Sequence, residues 1–230
     1  MALLPVSKRK TKRGFDQEMS FLDHLEVLRW HLIRSVAAIV LVMIVLFAFV
    51  DDLVKYVILG PMRPSFPTNQ WLCEWRPQMC VGDLAVEMQA IGPSEQFVKA
   101  IVVCIFGALI IAFPYIIWEV WRFVRPALRM TERQLSAGFV VYVSLLFLTG
   151  VVFAYFIVTP FALGFLANFQ IAEGVKNNWQ IGKVIGLITR LSLAGGILFQ
   201  LPILTYMLAK VGILTPKLMR KYRRHAIVVV

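Results

Sequence analysis

Four long runs of apolar residues alternate with polar segments along the chain. A helix needs about 20 mostly apolar residues to cross the hydrocarbon core of a bilayer. The runs therefore predict an all-α polytopic membrane protein with four complete spans, over about residues 35–50, 100–118, 135–160 and 191–209. A shorter apolar run, AIVVV, predicts a fifth span that begins at about residue 225, where the sequence stops.

The third apolar run is longer than one straight span requires, since no charge occurs from Gln134 to Ala172. Proline lacks a backbone N–H and bends or ends a helix. We therefore expect Pro160 and Gly164 to end this span and to begin a short re-entrant or interfacial piece.

The segment before the first span has two parts. Residues 1–19 contain KRKTKRG and are expected to form a basic cytoplasmic tail at the anionic inner leaflet, in preference to a nucleic-acid-binding segment. In residues 20–34, apolar side chains recur at helical spacing, and Ser20 with Asp23 matches a capping box. These residues predict an amphipathic helix that runs into the first span, so one transmembrane domain covers residues 20–230.

Composition agrees with a membrane protein and changes how the basic charge is interpreted. Of the 230 residues, 59% are hydrophobic and 16% are charged, with a mean hydropathy of +0.75, which is too apolar for a soluble domain of this length. Lys and Arg number 24 against 13 acidic residues. Because these charges lie between the apolar runs, they indicate topology and no nucleic-acid partner.

The distribution of Lys and Arg predicts the orientation. Seven precede the first span, four lie in residues 119–134 and six in residues 210–224, whereas residues 51–99 and 160–183 share six over a much longer stretch. Cytoplasmic loops carry the excess of basic residues. The N-terminus is therefore predicted to be cytoplasmic.

The predicted outer segment, residues 51–98, is rich in proline and tryptophan and is expected to form a folded cap or an interfacial loop. Cys73 and Cys80 lie within it on the oxidising side of the membrane, where a disulfide is plausible. Zinc is the weaker alternative because no further Cys or His is near. Cys104 lies inside a span and is expected to be a small core residue.

The chain has no recognisable catalytic or cofactor motif. It lacks a GxxxxGK[ST] phosphate loop, HExxH and GxSxG, and its His24 and His31, seven residues apart, are expected at the membrane interface. We therefore predict no ATP hydrolysis, no cofactor and no metal site.

Polar residues in or beside the spans are the remaining candidates for function. Gln200 lies between Gly195–Gly196 and Pro202, where a functional site and an interhelical hydrogen bond beside a proline kink are equally plausible. Glu95, in GPSEQF, is placed to cap a helix N-terminus. Arg190, at the outer edge of the fourth predicted span, is expected to snorkel.

The charged stretch WEVWRFVRPALRMTERQ, residues 118–134, stands out because two glutamates, Glu119 and Glu132, lie among four arginines on the predicted cytoplasmic side. Taken together, HLEVLRWHL, GPSEQF, FPYIIWEVWRFVRPAL with TER, AYFIVTPFALGFLANF, and GGILFQLP with VGILTP resemble the TatC family, in order and over residues 20–230. TatC is the core membrane component of the twin-arginine protein translocase.

The resemblance implies a six-helix, glove-shaped bundle in the bacterial cytoplasmic membrane, with both termini cytoplasmic. Its implied role is to bind the Arg-Arg signal peptides of folded precursor proteins. The implied partners are single-span subunits of the TatA and TatB type and further copies of the chain within a receptor complex, with transport driven by the proton gradient.

The resemblance also implies site residues. Guanidinium groups bind carboxylates through paired, charge-assisted hydrogen bonds, and the family motif places one such acceptor at Glu132. The implied signal-binding set is completed by Glu26, Arg29, Trp121, Phe123, Pro126 and Arg133. Polar or partner-docking positions in or near the membrane are implied for Pro61, Glu95, Glu119 and Gln200.

Two positions depart from the family pattern. Val27 occupies the position of a glutamate before Leu-Arg, with Glu26 one residue earlier, about 100° around a helix. Gln200 replaces a glutamate before Leu-Pro, which removes an intramembrane proton carrier but keeps a hydrogen-bonding group. The main alternative function is a secondary transporter of a small solute or ion, although the chain shows neither inverted repeats nor clear mid-membrane charges. An intramembrane enzyme would need paired catalytic residues, which the predicted spans lack.

Overall fold

The computed structural model describes residues 21–75, 88–124, 136–169 and 178–210, which are almost entirely helical. The helices are α1 (Phe21–Ala48), α2 (Val50–Asp52), α3 (Pro67–Trp75), α4 (Glu95–Val124), α5 (Ser136–Phe153), α6 (Thr159–Asn168), α7 (Ile181–Leu198) and α8 (Leu201–Lys210). Two π-helical turns, Leu53–Ile58 and Ala154–Val158, and a 3-10 turn, Gly60–Met62, connect some of them. The strands β1 (Met88–Gln89) and β2 (Trp179–Gln180) form one short parallel pair.

Within the described ranges, four helical segments are long and apolar enough to cross a membrane: Glu26–Ala48, Glu95–Val124, Gly138–Asn168 and Ile181–Met207. The prediction of an all-α chain with four complete spans is confirmed. The predicted amphipathic helix and the first span form the single helix α1. The basic tail and the fifth span predicted at about residue 225 lie outside the described residues.

The third span passes through Pro160 and does not end there. The helix continues from α5 through the π-helical turn into α6 and reaches Asn168. Pro160 lies in the first turn of α6, directly after the π-helical turn. The extra residue of the π-helical turn and the Thr159 hydroxyl, which donates to the Ala154 carbonyl at 2.9 Å, accommodate the interruption.

The fourth span begins at Ile181, earlier than the predicted residue 191. Arg190 lies at the outer edge of the predicted span, but the helix passes through it. The side chains of Lys183 and Arg190 are exposed, and their spacing of seven residues places them on one helix face. The opposite face, which includes Val184, Ile185 and Ile188, is buried. An amphipathic first half therefore belongs to the same helix.

The core lies where the second, third and fourth spans meet. Its buried residues are Ile58, Val103, Leu163, Val184, Ile185 and Ile188. By contrast, α1 packs mainly against α4 and leaves a broad apolar face exposed, including Leu32, Leu41 and Ile44. Exposed apolar side chains are expected for a helix that faces lipid.

Glycines bring α5 and α7 into backbone contact. A Cβ atom added at Gly150 would lie 2.6 Å from the Gly195 carbonyl oxygen, and one added at Gly196 would lie 2.6 Å from the Phe147 ring. Small residues allow such close approach between membrane helices, where packing and not hydrophobic burial drives association. This contact therefore fixes the spacing of the third and fourth spans.

The described part of the outer segment, residues 51–75, forms a cap that packs against the third span. The Phe66 ring stacks on Phe156, with centroids 5.3 Å apart, and meets Tyr155 edge-on at 5.7 Å. Buried Asn69 donates to the carbonyls of Pro61 at 2.8 Å and Arg63 at 2.9 Å, which holds the 3-10 turn against α3.

Two carbonyl groups, each four residues before a proline, accept hydrogen bonds across the junction of the cap and the third span. One lies in the cap and accepts from the third span, and the other lies in the third span and accepts from the cap. Within a helix, a proline deprives the carbonyl four residues earlier of its N–H partner. Pro61 stands in this relation to Val57, whose carbonyl accepts from the Tyr155 hydroxyl. Pro160 stands in the same relation to Phe156, whose carbonyl accepts from the Thr68 hydroxyl. Pro61, implied above to dock a partner, is itself buried in this junction.

Candidate functional site

The start of α1 and the end of α4 form one end of the helix bundle, where several of the implied signal-binding residues lie. Glu26 and Arg29 are exposed on α1, and Val27 between them is also exposed. Trp121 and Phe123 lie in the last turn of α4 and are partly buried. Pro126, Glu132 and Arg133 lie outside the described residues, so their positions remain predictions.

Glu119 is the most deeply buried acidic residue that the structure describes, with 1% of its surface exposed. Its Oε2 atom pairs with Nδ1 of His31, which α1 supplies, and its Oε1 atom accepts from the Tyr115 hydroxyl at 2.9 Å. Both carboxylate oxygens are thus engaged inside the chain. This placement differs from the partner-docking position implied for Glu119.

Aromatic side chains surround this pair. The His31 ring meets Phe123 edge-on, with centroids 6.2 Å apart. Two residues after Glu119, Trp121 packs on Phe139 of α5 at 4.4 Å, and the Arg122 guanidinium lies 5.7 Å above the Trp118 ring. Trp121 and Phe123, both in the implied signal-binding set, therefore rigidify the end of α4.

At the opposite end of the bundle, Glu95 joins the starts of two spans. Its Oε2 atom accepts from the Ile91 backbone N–H at 3.0 Å and its Oε1 atom from the Gln180 side chain at 2.6 Å. The carboxyl also packs directly on Gly182, in the first turn of α7. A carboxylate is favourable at helix N-termini because of the helix dipole, in agreement with the expected capping role.

Gln200 lies at the break between α7 and α8, and its Nε2 atom donates to the Val143 carbonyl of α5 at 3.0 Å. This is the interhelical hydrogen bond that the sequence offered as one of two interpretations. Gly195 and Gly196 lie one turn away in the α5–α7 contact. Gln200 therefore links the third and fourth spans, and a docking role for it stays a prediction.

The cysteines lie in two environments. Cys104 is free and buried in α4, as expected. Cys73 is half-buried in α3 and is disulfide-bonded. Cys80 lies outside the described residues, so the Cys73–Cys80 pairing remains a prediction. In the parts of the chain that the structure describes, no group of three or more His, Cys, Asp or Glu residues is arranged to hold a metal ion.

Sequence reasoning missed the pairing of His31 with Glu119. The histidine had been assigned to the interface because it shares a helix face with His24. The available signal was a histidine and a glutamate, each near the charged end of an apolar run, in two helices of opposite direction. Such groups need partners in the membrane, and pairing with each other satisfies both.

Comparison with known proteins agrees with these features. The sequence model of the family described as Sec-independent protein translocase protein (TatC) matches residues 23–230. The chain belongs to the TatC family. It is a multi-pass protein of the bacterial inner membrane in a non-enzymatic family of protein transport components.

Individual TatC relatives support the assignment over most of the chain. The Sec-independent protein translocase protein TatC of Blattabacterium sp. subsp. Periplaneta americana is 33% identical over 219 residues, covering 92% of this chain and 82% of the relative. The TatC of Campylobacter jejuni is 31% identical over 210 residues, covering 90% and 78% respectively.

A solved structure gives the same result for the fold. The crystal structure of a twin arginine translocase receptor, TatC, superposes with a TM-score of 0.71 at 29% sequence identity. The superposition covers 90% of this chain and 83% of that receptor. The TatC-like fold is therefore confirmed for the described residues.

Proposed function

We propose that this TatC-family chain is the signal-binding receptor of a twin-arginine protein translocase. It binds the Arg-Arg signal peptides of folded precursors at the bundle end formed by α1, α4 and the loop that follows α4. The observation that carries the proposal is the similarity, over nine-tenths of the chain, to a solved twin arginine translocase receptor.

The exposed groups at this end have the chemistry that an arginine pair needs. Glu26 is exposed near the start of α1, and the proposal assigns the second carboxylate to Glu132, which lies outside the described residues. A guanidinium group makes a planar two-point contact with a carboxylate, which an ammonium group cannot reproduce. The proposal therefore includes a preference for Arg-Arg over Lys-Lys.

Glu119 is not assigned as an acceptor. Its carboxylate is buried and already receives hydrogen bonds from His31 and Tyr115. An incoming arginine would have to displace both partners. Glu119 therefore acts within the chain.

The proposal also includes partners and energy source. Single-span subunits of the TatA and TatB type and further copies of this chain assemble with it, and the proton gradient drives transport. The N-terminus is cytoplasmic, which places α1 and the loop after α4 where precursors arrive. The excess of basic residues in those segments supports this orientation.

The test is titration of an Arg-Arg signal peptide against the purified chain in nanodiscs. We expect Glu132→Gln to weaken binding most, roughly tenfold to a hundredfold, because loss of a charged hydrogen-bond partner costs about 1.5–3 kcal/mol. Glu26→Gln should weaken binding less, and Glu119→Gln least, since an amide oxygen still accepts from His31.

A Lys-Lys peptide of otherwise identical sequence is the control ligand. The Lys-Lys peptide should bind the unaltered chain more weakly than the Arg-Arg peptide does. Its affinity should fall little further in the Glu132→Gln variant. Unchanged Arg-Arg affinity in the Glu132 variant would remove that residue from the proposed site. Equal affinity for both peptides would contradict the proposed function.

A further inference from the structure

Most side chains in residues 26–34 of α1 are exposed. Every side chain from Glu26 to Trp30 is exposed, as are those from Leu32 to Arg34. In this part of α1, only His31 is partly buried, and the next buried residue is Ser35. His31 is therefore the anchor closest to the exposed turns.

The anchor is a polar contact in apolar surroundings. The His31 side chain is 13% exposed, and its Nδ1 atom pairs with a Glu119 carboxylate that is almost fully enclosed. The Phe123 ring limits the tilt of the imidazole, and the Ser35 hydroxyl, which donates to the His31 carbonyl at 3.0 Å, supports the next turn. Removing a hydrogen-bond partner from a buried carboxylate strongly destabilises the folded protein. The contact between His31 and Glu119 therefore has one strongly preferred geometry.

A helix transmits this geometry along its axis. Glu26 lies five residues before His31, or about 7.5 Å along the axis at a rise of 1.5 Å per residue. Glu26 and Arg29 lie about 140° and about 160° around the helix from His31 at 100° per residue, so they point away from the face held against α4. A rotation of α1 about the His31 contact would therefore change the direction in which both side chains face.

The geometry points to His31 and Glu119 as positioning residues: they clamp α1 to α4 so that the exposed turn carrying Glu26 and Arg29 faces an incoming arginine pair. The clamp does not touch the signal peptide. This inference rests on the proposed function, because it names what orients that binding surface.

The test uses two substitutions of equal shape. His31→Asn keeps a donor at the position of Nδ1, whereas His31→Leu has the same branching without one. We expect His31→Leu to bind the Arg-Arg peptide about tenfold more weakly and His31→Asn to stay within about threefold of the unaltered chain, as the loss or retention of one hydrogen bond to a charged group implies.

A double variant separates positioning from misfolding. His31→Leu leaves the Glu119 carboxylate with one partner fewer, whereas His31→Leu with Glu119→Met leaves no buried charge unpaired. The double variant should fold as well as the unaltered chain and still bind the peptide about tenfold more weakly. Normal affinity in the double variant would overturn the inference.

A spectroscopic measurement reports on the clamp without any peptide. Spin labels at the exposed positions Val27 and Val120, in a Cys104→Ala background, measure the spacing of α1 and α4. The distance distribution should broaden in His31→Leu and stay narrow in His31→Asn. Equal behaviour of these variants in distance or affinity would overturn the clamp. Equal affinity of the unaltered chain for the Arg-Arg and Lys-Lys peptides would contradict the proposed function. The spin-label distances would still test the clamp in that case.

Discussion

At the scale of single residues, Gly195 is the position where the smallest change should do the most harm. A Cβ atom there would meet the Ala154 side chain and would lie 2.7 Å from the Gly150 carbonyl oxygen. A backbone oxygen cannot rotate away as a side chain can. We expect Gly195→Ala to destabilise the chain by about 1–3 kcal/mol, the usual cost of overpacking, as measured by denaturant titration in bicelles.

Gly138 provides the matched control for this prediction. Gly138 is an exposed residue of α5, and a Cβ atom added there would have no neighbouring atom within 4 Å. Since alanine favours a helix over glycine by up to about 1 kcal/mol, Gly138→Ala should be neutral or mildly stabilising. Equal loss of stability in both variants would indicate a general effect of the substitution and not the α5–α7 contact.

At the scale of elements, two hydrogen bonds join the cap to the third span. In each, a hydroxyl group donates to the carbonyl group four residues before a proline. Tyr155→Phe removes the donor to the Val57 carbonyl. This change should cost about 0.5–1.5 kcal/mol, the net value of one hydrogen bond. The loss should be smaller in a Pro61→Ala background, because an alanine N–H at position 61 can serve the same carbonyl.

The measurement is a double-mutant cycle of unfolding free energies for Tyr155→Phe and Pro61→Ala. A second cycle, Thr68→Val with Pro160→Ala, tests the corresponding bond to Phe156. Coupling is expected in both cycles, and the mixed pair Tyr155→Phe with Pro160→Ala should show less of it. Strictly additive costs within each matched pair would show that the hydroxyls do not replace the missing N–H groups.

At the scale of the whole molecule, the orientation of the bundle can be tested directly. Glu26 and Gln70 are both exposed, and they lie near opposite ends of the bundle. With a cytoplasmic N-terminus, an impermeant maleimide added to spheroplasts should label Gln70→Cys but label Glu26→Cys only after lysis. The chain without an added cysteine gives the background, and the reverse labelling pattern would show the opposite orientation.

The sequence by itself determined the class of fold and the family. Runs such as Ala100–Trp118 are long and uncharged, and such segments can satisfy their backbone groups in lipid only as helices. Ordered motifs at the ends of these runs, including GPSEQF around Glu95, then identified the TatC family. The capping role of Glu95 was also predictable, because it follows from position at a helix start.

The span boundaries near charges and prolines were less predictable. Arg190, at the outer edge of the predicted fourth span, suggested a later start for that span, and Pro160 suggested an early end for the third. Both signals are local. The true start of the fourth span depended on which helix face the charges occupy, and the true end of the third span depended on whether another segment bonds to the carbonyl before Pro160. The Thr68 hydroxyl that does so lies 88 residues from Phe156 in the chain.

Only the tertiary structure decided the roles of the polar residues. Glu26 and Glu119 look alike in sequence, since each is a glutamate beside a tryptophan- and arginine-containing stretch. Packing of α1 on α4 encloses Glu119 against His31 and leaves Glu26 exposed. The difference arises because burial and pairing of a charge depend on which helix faces lie against each other, and that arrangement is set by contacts between residues far apart in the chain.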